Sequence, residues 1–147
     1  MQYIDTLNKF LKDELSATET YQQALDNLRE GDELGEVEPL LPIHKAHIEA
    51  VSSLQALIQR LGGTPCEDSG TWGTWAKIMQ GGANLLGRKA ALKTLQGGEK
   101  NGAESYKEAL EDEELPASIR ALIETNLLPA QQSHIETLES LLDTESA

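Results

Sequence analysis

Residues 14–25 read Glu-Leu-Ser-Ala-Thr-Glu-Thr-Tyr-Gln-Gln-Ala-Leu, and they align without gaps on residues 99–110, which read Glu-Lys-Asn-Gly-Ala-Glu-Ser-Tyr-Lys-Glu-Ala-Leu. The residues that recur are Glu14, Glu19, Tyr21, Ala24 and Leu25, found again as Glu99, Glu104, Tyr106, Ala109 and Leu110. A gapless match of this length indicates a duplicated structural unit.

A second pair of segments repeats in the same order. Residues 40–49 read Leu-Leu-Pro-Ile-His-Lys-Ala-His-Ile-Glu, and residues 127–136 read Leu-Leu-Pro-Ala-Gln-Gln-Ser-His-Ile-Glu. His47 therefore recurs as His134. Each copy of the unit carries one glutamate and one histidine at positions where the surrounding pattern is apolar, which makes them candidate ligands of a metal ion.

Apolar residues at spacings of three and four predict four amphipathic helices. The first covers roughly residues 2–30, and the second begins near residue 40 and ends near Leu61, before Gly62-Gly63-Thr64-Pro65. The third and fourth stripes run over residues 92–110 and 119–141. The predicted class is all-α, a four-helix bundle made of two repeated hairpins.

The predicted organisation is a single domain over residues 1–147, with hairpin one at 1–62, a long crossover at 63–87 and hairpin two at 88–147. A short extra helix is expected in the crossover, between Trp75 and Leu86. Pro42 and Pro129 fall inside the predicted second and fourth helices, where each predicts a kink. Gly97 and Gly98 suggest a close helix approach or a local irregularity in the third helix.

Composition narrows the function classes. Twelve basic against 25 acidic residues give a formal charge of −13, which disfavours binding to nucleic acid. The sequence has no uninterrupted apolar run of the length that a membrane span requires. The single Cys66 excludes an intramolecular disulfide, and with no secretory signal in the first residues we expect a cytoplasmic protein. A homodimer is the default expectation for its assembly.

In each predicted hairpin the candidate glutamate and histidine lie at the same level along the helix axes. Residues Glu14 and His47 lie symmetrically about position 30.5, beside Gly31, and Glu99 and His134 lie symmetrically about position 116.5, beside Pro116. Docking the two hairpins would then bring all the polar core residues to one layer. The predicted cluster is Glu14, His44, His47, Glu99, Gln131 and His134.

A buried carboxylate requires a compensating cation, a hydrogen bond or a proton. Carboxylate and imidazole groups that converge between helices are suited to Fe, Mn or Zn ions. An equally simple interpretation is a polar layer in which imidazole and carboxylate pair without metal. Tyr21 and Tyr106 lie two turns beyond the glutamates, where they either donate hydrogen bonds to the ligands or pack in the core.

The run from Leu7 to Tyr21 resembles the first helix of bacterioferritin-type proteins, members of the ferritin-like superfamily. On that resemblance Glu14 and Glu99 correspond to terminal metal ligands. The superfamily places Glu-x-x-His on helices two and four, whereas this chain has His44-Lys-Ala-His47 and Gln131-Gln-Ser-His134. Both histidines are kept and both glutamates are absent.

The segment from Arg60 to Pro65 and the interrupted crossover are also similar to an uncharacterised bacterial family of ferritin-like proteins associated with stress genes. Two carboxylates carry a charge of only −2, so the resemblance implies one bound ion more readily than a di-iron centre. The ligand set is short of that of a di-iron oxidase, which leaves enzymatic activity undecided. The alternative function is a non-catalytic structural or interaction protein with a vestigial metal site.

Overall fold

The computed structural model describes residues 2–30, 38–67 and 85–146, and these residues form helices and connections with no strand among them. The helices are α1 (Gln2–Glu30), α2 (Leu40–Arg60), α3 (Leu85–Leu110), α4 (Ala117–Leu122) and α5 (Leu128–Ser146). A π-helical turn, Ile123–Leu127, joins α4 to α5 without a break. The chain divides into two compact units, Met1–Ala91 and Leu92–Ala147. The all-helical prediction is confirmed for the described residues, while the single-domain boundaries stay a prediction.

In the first unit α1 packs against α2, and the two helices run antiparallel, since Asn8 contacts Thr64 and Glu14 contacts His47. The described stripe residues on α1 include Leu7, Leu11 and Tyr21, which are fully buried, as are Leu54 and Ile58 on α2. Burying one large apolar side chain contributes roughly 1.5–3 kcal/mol, so the burial of these residues stabilises the fold.

The C-terminus of α2 is closed by a Schellman motif. The N–H groups of Gly62 and Gly63 donate to the carbonyls of Gln59 (3.0 Å) and Ile58 (2.9 Å), and Gly62 takes a φ of 86°. Asn8 on α1 then holds the following loop: its amide donates to the Thr64 carbonyl (3.1 Å) and its carbonyl oxygen accepts from the Cys66 N–H (2.8 Å). The predicted end of helix two is confirmed.

In the second unit residues 111–116 connect α3 to α4. The guanidinium of Arg120 donates to the carbonyls of Leu110 (3.3 Å) and Asp112 (2.8 Å), which satisfies acceptors left open where α3 ends. Pro116 directly precedes α4, and proline is favoured at the start of a helix because its missing N–H would have no helical acceptor there. The connection is therefore centred before Pro116 rather than on it.

The prediction of a kink at Pro42 needs correction, while the kink at Pro129 stays a prediction. Because α2 begins at Leu40, Pro42 lies in its first turn, where the missing N–H has no helical acceptor to lose. Pro129 follows the π-turn instead, in which the Leu128 N–H reaches back five residues to the Ile123 carbonyl. The fourth helical segment thus accommodates its proline by a wider turn.

The π-turn also explains a spacing in the sequence. Ile119, Ile123, Leu127 and Gln131 are all buried, although they are four residues apart at every step. On a regular α-helix each residue turns by about 100°, so three steps of four residues rotate the side-chain direction by about 120° beyond three full turns. The one extra residue in the π-turn reduces that rotation by about 100°. The turn consequently keeps Gln131 on the same face as the apolar residues before it.

The remaining fold predictions fall in three groups. Gly97 and Gly98 lie within α3, which is α-helical throughout Leu85–Leu110, so no irregularity occurs there. The turn at Gly31 and residues 75–84 of the proposed extra helix lie outside the described residues, and Leu85 and Leu86 belong to α3. Within the described ranges, every helix is too short or too polar to span a bilayer.

Candidate metal centre

The first unit contains a buried pair formed by Glu14 and His47. Glu14 lies on the apolar stripe of α1 and His47 on that of α2, and they are 4% and 2% exposed. The Nδ1–H of His47 donates to Oε2 of Glu14 over 2.5 Å. A metal-binding histidine commonly donates its other ring N–H to a carboxylate in this way, so the bond is compatible with a metal at Nε2 of His47.

Two further side chains surround this pair. The ring of Tyr21 stacks on the His47 imidazole, with centroids 5.3 Å apart and an interplanar angle of 25°. His44, one turn before His47, is only half-buried. Partial burial, followed by the nearby His47, lowers the pKa of His44, against weaker opposing effects from the Thr18 backbone and Asp26. The neutral imidazole is therefore the favoured form of His44.

Asp13 stands beside Glu14 in sequence and is half-buried. Burial raises its pKa, the neighbouring Glu14 carboxylate raises it further, and the Lys9 ammonium opposes both. The negative charge on this turn of α1 is thus partly unfavourable in the folded protein.

The second unit contains the corresponding pair, Glu99 on α3 and His134 on α5. Glu99 is fully buried and His134 is 6% exposed. Their Nδ1 and Oε2 atoms are 3.3 Å apart, clearly more than the distance in the first unit. The repeat therefore places a carboxylate beside an imidazole twice, with two different separations.

Gln131 is buried as well and binds the backbone of α3. Its Nε2 donates to the Glu99 carbonyl over 3.0 Å. The amide occupies the space left by Gly102, since a Cβ at residue 102 would overlap the Gln131 amide nitrogen. The amide nitrogen of Gln131 thus binds Gln131 to the helix that carries Glu99.

The structure places the predicted site residues as follows. Within the first unit it joins Glu14, His47 and Tyr21, and it leaves His44 at the edge of that group. Within the second unit it joins Glu99, Gln131 and His134. Tyr106 is buried on α3, seven residues beyond Glu99. The joining of all six ligand candidates into one layer stays a prediction.

The pairs offer nitrogen and oxygen donors in a buried setting. Donor atoms that share an ion at about 2.1 Å are about 3.0–3.4 Å apart for ligand–metal–ligand angles of about 90–109°. The 3.3 Å separation of Glu99 and His134 falls in that interval and is also within hydrogen-bond distance. The 2.5 Å separation of Glu14 and His47 would require an angle of about 70°, so that pair has the geometry of a direct hydrogen bond.

Sequence reasoning missed Gly102 and Thr18. The Thr18 hydroxyl donates to the Glu14 carbonyl over 2.9 Å, so in the first unit that carbonyl receives its extra donor from its own helix. The signal was present in the repeat, where Ala17 and Thr18 align with Gly102 and Ala103. Differences between the copies, and not only their identities, mark residues that act on the site.

Comparisons with curated proteins and with solved structures give no match. A family profile does match, over residues 2–112, which is more than half of the chain. The matched region includes Glu14, His47 and Glu99, and it ends before Gln131 and His134. By this match the chain belongs to the family described as the domain of unknown function DUF2383.

Proposed function

We propose that this protein binds one divalent transition-metal ion through Glu14, His47, Glu99 and His134, in a ferritin-like four-helix bundle formed by two docked hairpins. The observation that carries the proposal is the burial, in each unit, of a carboxylate beside an imidazole at repeated positions. Two carboxylates balance the charge of one divalent ion, whereas a second ion would leave two positive charges uncompensated.

The donor atoms restrict which metal ions suit the site. Two imidazole nitrogens and two carboxylate oxygens suit Fe(II), Mn(II) and Zn(II), while a site of oxygen ligands alone would suit Mg(II) or Ca(II). His44 or water would complete a larger coordination shell. His44 is suited to that role because its lowered pKa favours the neutral imidazole that metals bind.

The repeat supplies a matched control for testing this proposal. Glu19 and Glu104 recur like Glu14 and Glu99 but are exposed to solvent. We would measure the metal content of purified untagged protein by elemental mass spectrometry for the wild type, for Glu14→Gln/Glu99→Gln and for Glu19→Gln/Glu104→Gln. Both double variants remove two negative charges, so a difference between them reports on the interior site and not on the acidic surface.

We expect about one equivalent of Fe, Mn or Zn in the wild type and in Glu19→Gln/Glu104→Gln, and none in Glu14→Gln/Glu99→Gln. Added metal should also raise the melting temperature of the first two proteins only, because an ion that binds the folded state stabilises it by mass action. Metal-free wild type, unchanged in melting temperature after anaerobic loading with each ion, would refute the metalloprotein function.

The second candidate is a structural or protein-interaction bundle, acting through its acidic surface, whose Glu/His pairs are vestigial. The direct hydrogen bond between His47 and Glu14 favours it, because the two groups satisfy one another without an ion. In that case Glu14→Gln would change stability equally with and without added metal. The homodimer stays a prediction, which sedimentation equilibrium at several concentrations tests directly.

A further inference from the structure

The side-chain amide of Gln131 is bound at its nitrogen and has no partner at its oxygen. The residue is 3% exposed, and its Nε2 donates to the Glu99 carbonyl over 3.0 Å. Within the part of the chain that the structure describes, no donor lies within hydrogen-bond distance of Oε1. Buried amide oxygens in native proteins nearly always have a donor, so Oε1 points to a partner such as a water or an ion.

The orientation of this amide is fixed by its bound end. A backbone carbonyl only accepts hydrogen bonds, so the nitrogen of the amide, and not the oxygen, must face the Glu99 carbonyl. The packing agrees with this assignment, because a Cβ at Gly102 on α3 would overlap Nε2 but would lie 4.0 Å from Oε1. The nitrogen is therefore turned towards α3, and the oxygen is turned away from Gly102.

This oxygen belongs to the buried polar group of the second unit. Gln131 and His134 lie one turn apart on α5, and both are buried. Glu99 contacts both of them, since its backbone carbonyl accepts from Gln131 and its Oε2 lies 3.3 Å from Nδ1 of His134. The amide of Gln131 is thus tied to the residue that supplies a carboxylate of the proposed metal site.

The chemistry of an amide oxygen limits what can occupy the place beside it. The oxygen is a neutral acceptor, so it favours a molecule that presents an O–H group and disfavours an anion that offers only lone pairs. A water that completes the coordination shell of the proposed ion has two hydrogens, and in a buried setting these need acceptors. Oε1 of Gln131 is a buried acceptor that is available for one of them.

We propose that Oε1 of Gln131 accepts a hydrogen bond from a small O–H ligand of the proposed ion, which is water in the resting protein, and that Gln131 thereby selects such ligands over anions that carry no hydrogen. This inference rests on the proposed function and names the chemical class of small molecule that the site admits. A site that bonds a hydrogen of its ligand discriminates against an analogue without that hydrogen, because the buried polar group is then left unpaired.

The test compares Gln131→Met with Gln132→Met in protein loaded with Co(II). Methionine is an unbranched side chain of similar length that lacks the amide, and Gln132 is the matched control because it is exposed on the same helix. The probe is azide, a small anion without a hydrogen, whose binding to Co(II) changes the visible absorption. Circular dichroism and the melting temperature verify that each variant is folded.

We expect azide to bind about tenfold more tightly to Gln131→Met than to the wild type or to Gln132→Met, because the oxygen that opposes the anion is gone. A loss of stability alone would not produce a gain in anion affinity. The wild type loaded with Mn(II) should also show a broadened electron paramagnetic resonance signal in water enriched in oxygen-17, which reports a water molecule on the ion.

Equal azide affinity in Gln131→Met and Gln132→Met, azide that binds to neither, or a Mn(II) signal that oxygen-17 does not broaden would overturn the inference while leaving the proposed function intact. A fall in Co(II) affinity of more than about a hundredfold in Gln131→Met would also overturn it, because the amide would then be a direct ligand of the ion. Folded wild-type protein that gives no Co(II) absorption would refute the proposed function itself, and this outcome is visible before any variant is compared.

Discussion

The substitution Gly102→Ala tests the packing of Gln131 against α3. In most helix interiors alanine is more stable than glycine by about 0.8–1.0 kcal/mol, so the change should stabilise the protein if helix propensity alone decided. The structure indicates the opposite sign. A Cβ at residue 102 would overlap the Gln131 amide nitrogen and force that buried side chain to move.

The magnitude follows from the contacts that would be lost. Displacing Gln131 removes its hydrogen bond to the Glu99 carbonyl, about 0.5–1.5 kcal/mol net, and leaves a buried amide unsatisfied at a cost of about 1–3 kcal/mol. Subtracting the propensity gain of about 1 kcal/mol leaves a net destabilisation of about 1–3 kcal/mol. The free energy of unfolding, measured by urea denaturation of metal-free protein, gives this quantity directly.

A double-mutant cycle separates the two contributions. In a Gln131→Ala background the overlap is absent, and Gly102→Ala should then stabilise the protein by about 0.8–1.0 kcal/mol. The predicted reversal of sign corresponds to a coupling of about 2 kcal/mol or more between residues 102 and 131. If Gly102→Ala stabilised both backgrounds equally, the argument that glycine is needed to admit the amide would be refuted.

Three further predictions concern the first unit. Asp13→Asn should raise the melting temperature at neutral pH, because burial raises the pKa of Asp13 and its ionised form is disfavoured on folding; the gain should vanish below about pH 3, where both states are protonated. The pKa of His44 is lower in the folded protein than in the unfolded chain, so the unfolded chain binds more protons as the pH drops below 6.5 and the free energy of unfolding should fall. His44→Gln should reduce that fall, as measured by urea denaturation at several pH values. Gly62→Ala should cost about 1–2 kcal/mol from its positive φ alone, since no atom lies near the added methyl group, and Gly62→Asn should cost less by the same assay.

The helix boundaries could be predicted because their signals are local. The period of three to four residues identifies α1 over its full length, and Gly62 followed by Gly63 and Pro65 identifies the end of α2. These features depend on residues a few positions apart. The pairing of Glu14 with a histidine of α2 could also be anticipated, since it follows from two helices of known length lying side by side.

The π-turn could have been predicted from the same stripe that predicted the fourth helix. Reading a spacing of four as helical is correct for one step, but Ile119, Ile123, Leu127 and Gln131 repeat it three times. The accumulated rotation of about 120° exceeds the width of about 100° that a narrow apolar stripe covers on a regular α-helix. Summing the angles along the stripe, together with Pro129, would have located the irregularity.

The different environments of His44 and Gln131 could not be read from their own segments. Both occupy the position three residues before the ligand histidine, and an aligned repeat suggests that they play the same part. Gln131 is buried where Gly102, which is far away in sequence, leaves room for its amide. Such a choice is made by tertiary packing, for which helical periodicity carries no information.

This dependence has a consequence for interpreting duplicated metal motifs. A glutamate and a histidine that recur at matched positions establish that both copies can place a carboxylate beside an imidazole, but the residues that support the glutamate did not all recur. In this chain the Glu14 carbonyl accepts from Thr18 on its own helix, whereas the Glu99 carbonyl accepts from Gln131 on another helix. In both units the imidazole lies within hydrogen-bond distance of its carboxylate through Nδ1, the arrangement that orients a histidine whose other ring nitrogen binds a metal. The support of each glutamate therefore comes from residues outside the repeated Glu and His, and the recurrence of those two residues alone does not predict it.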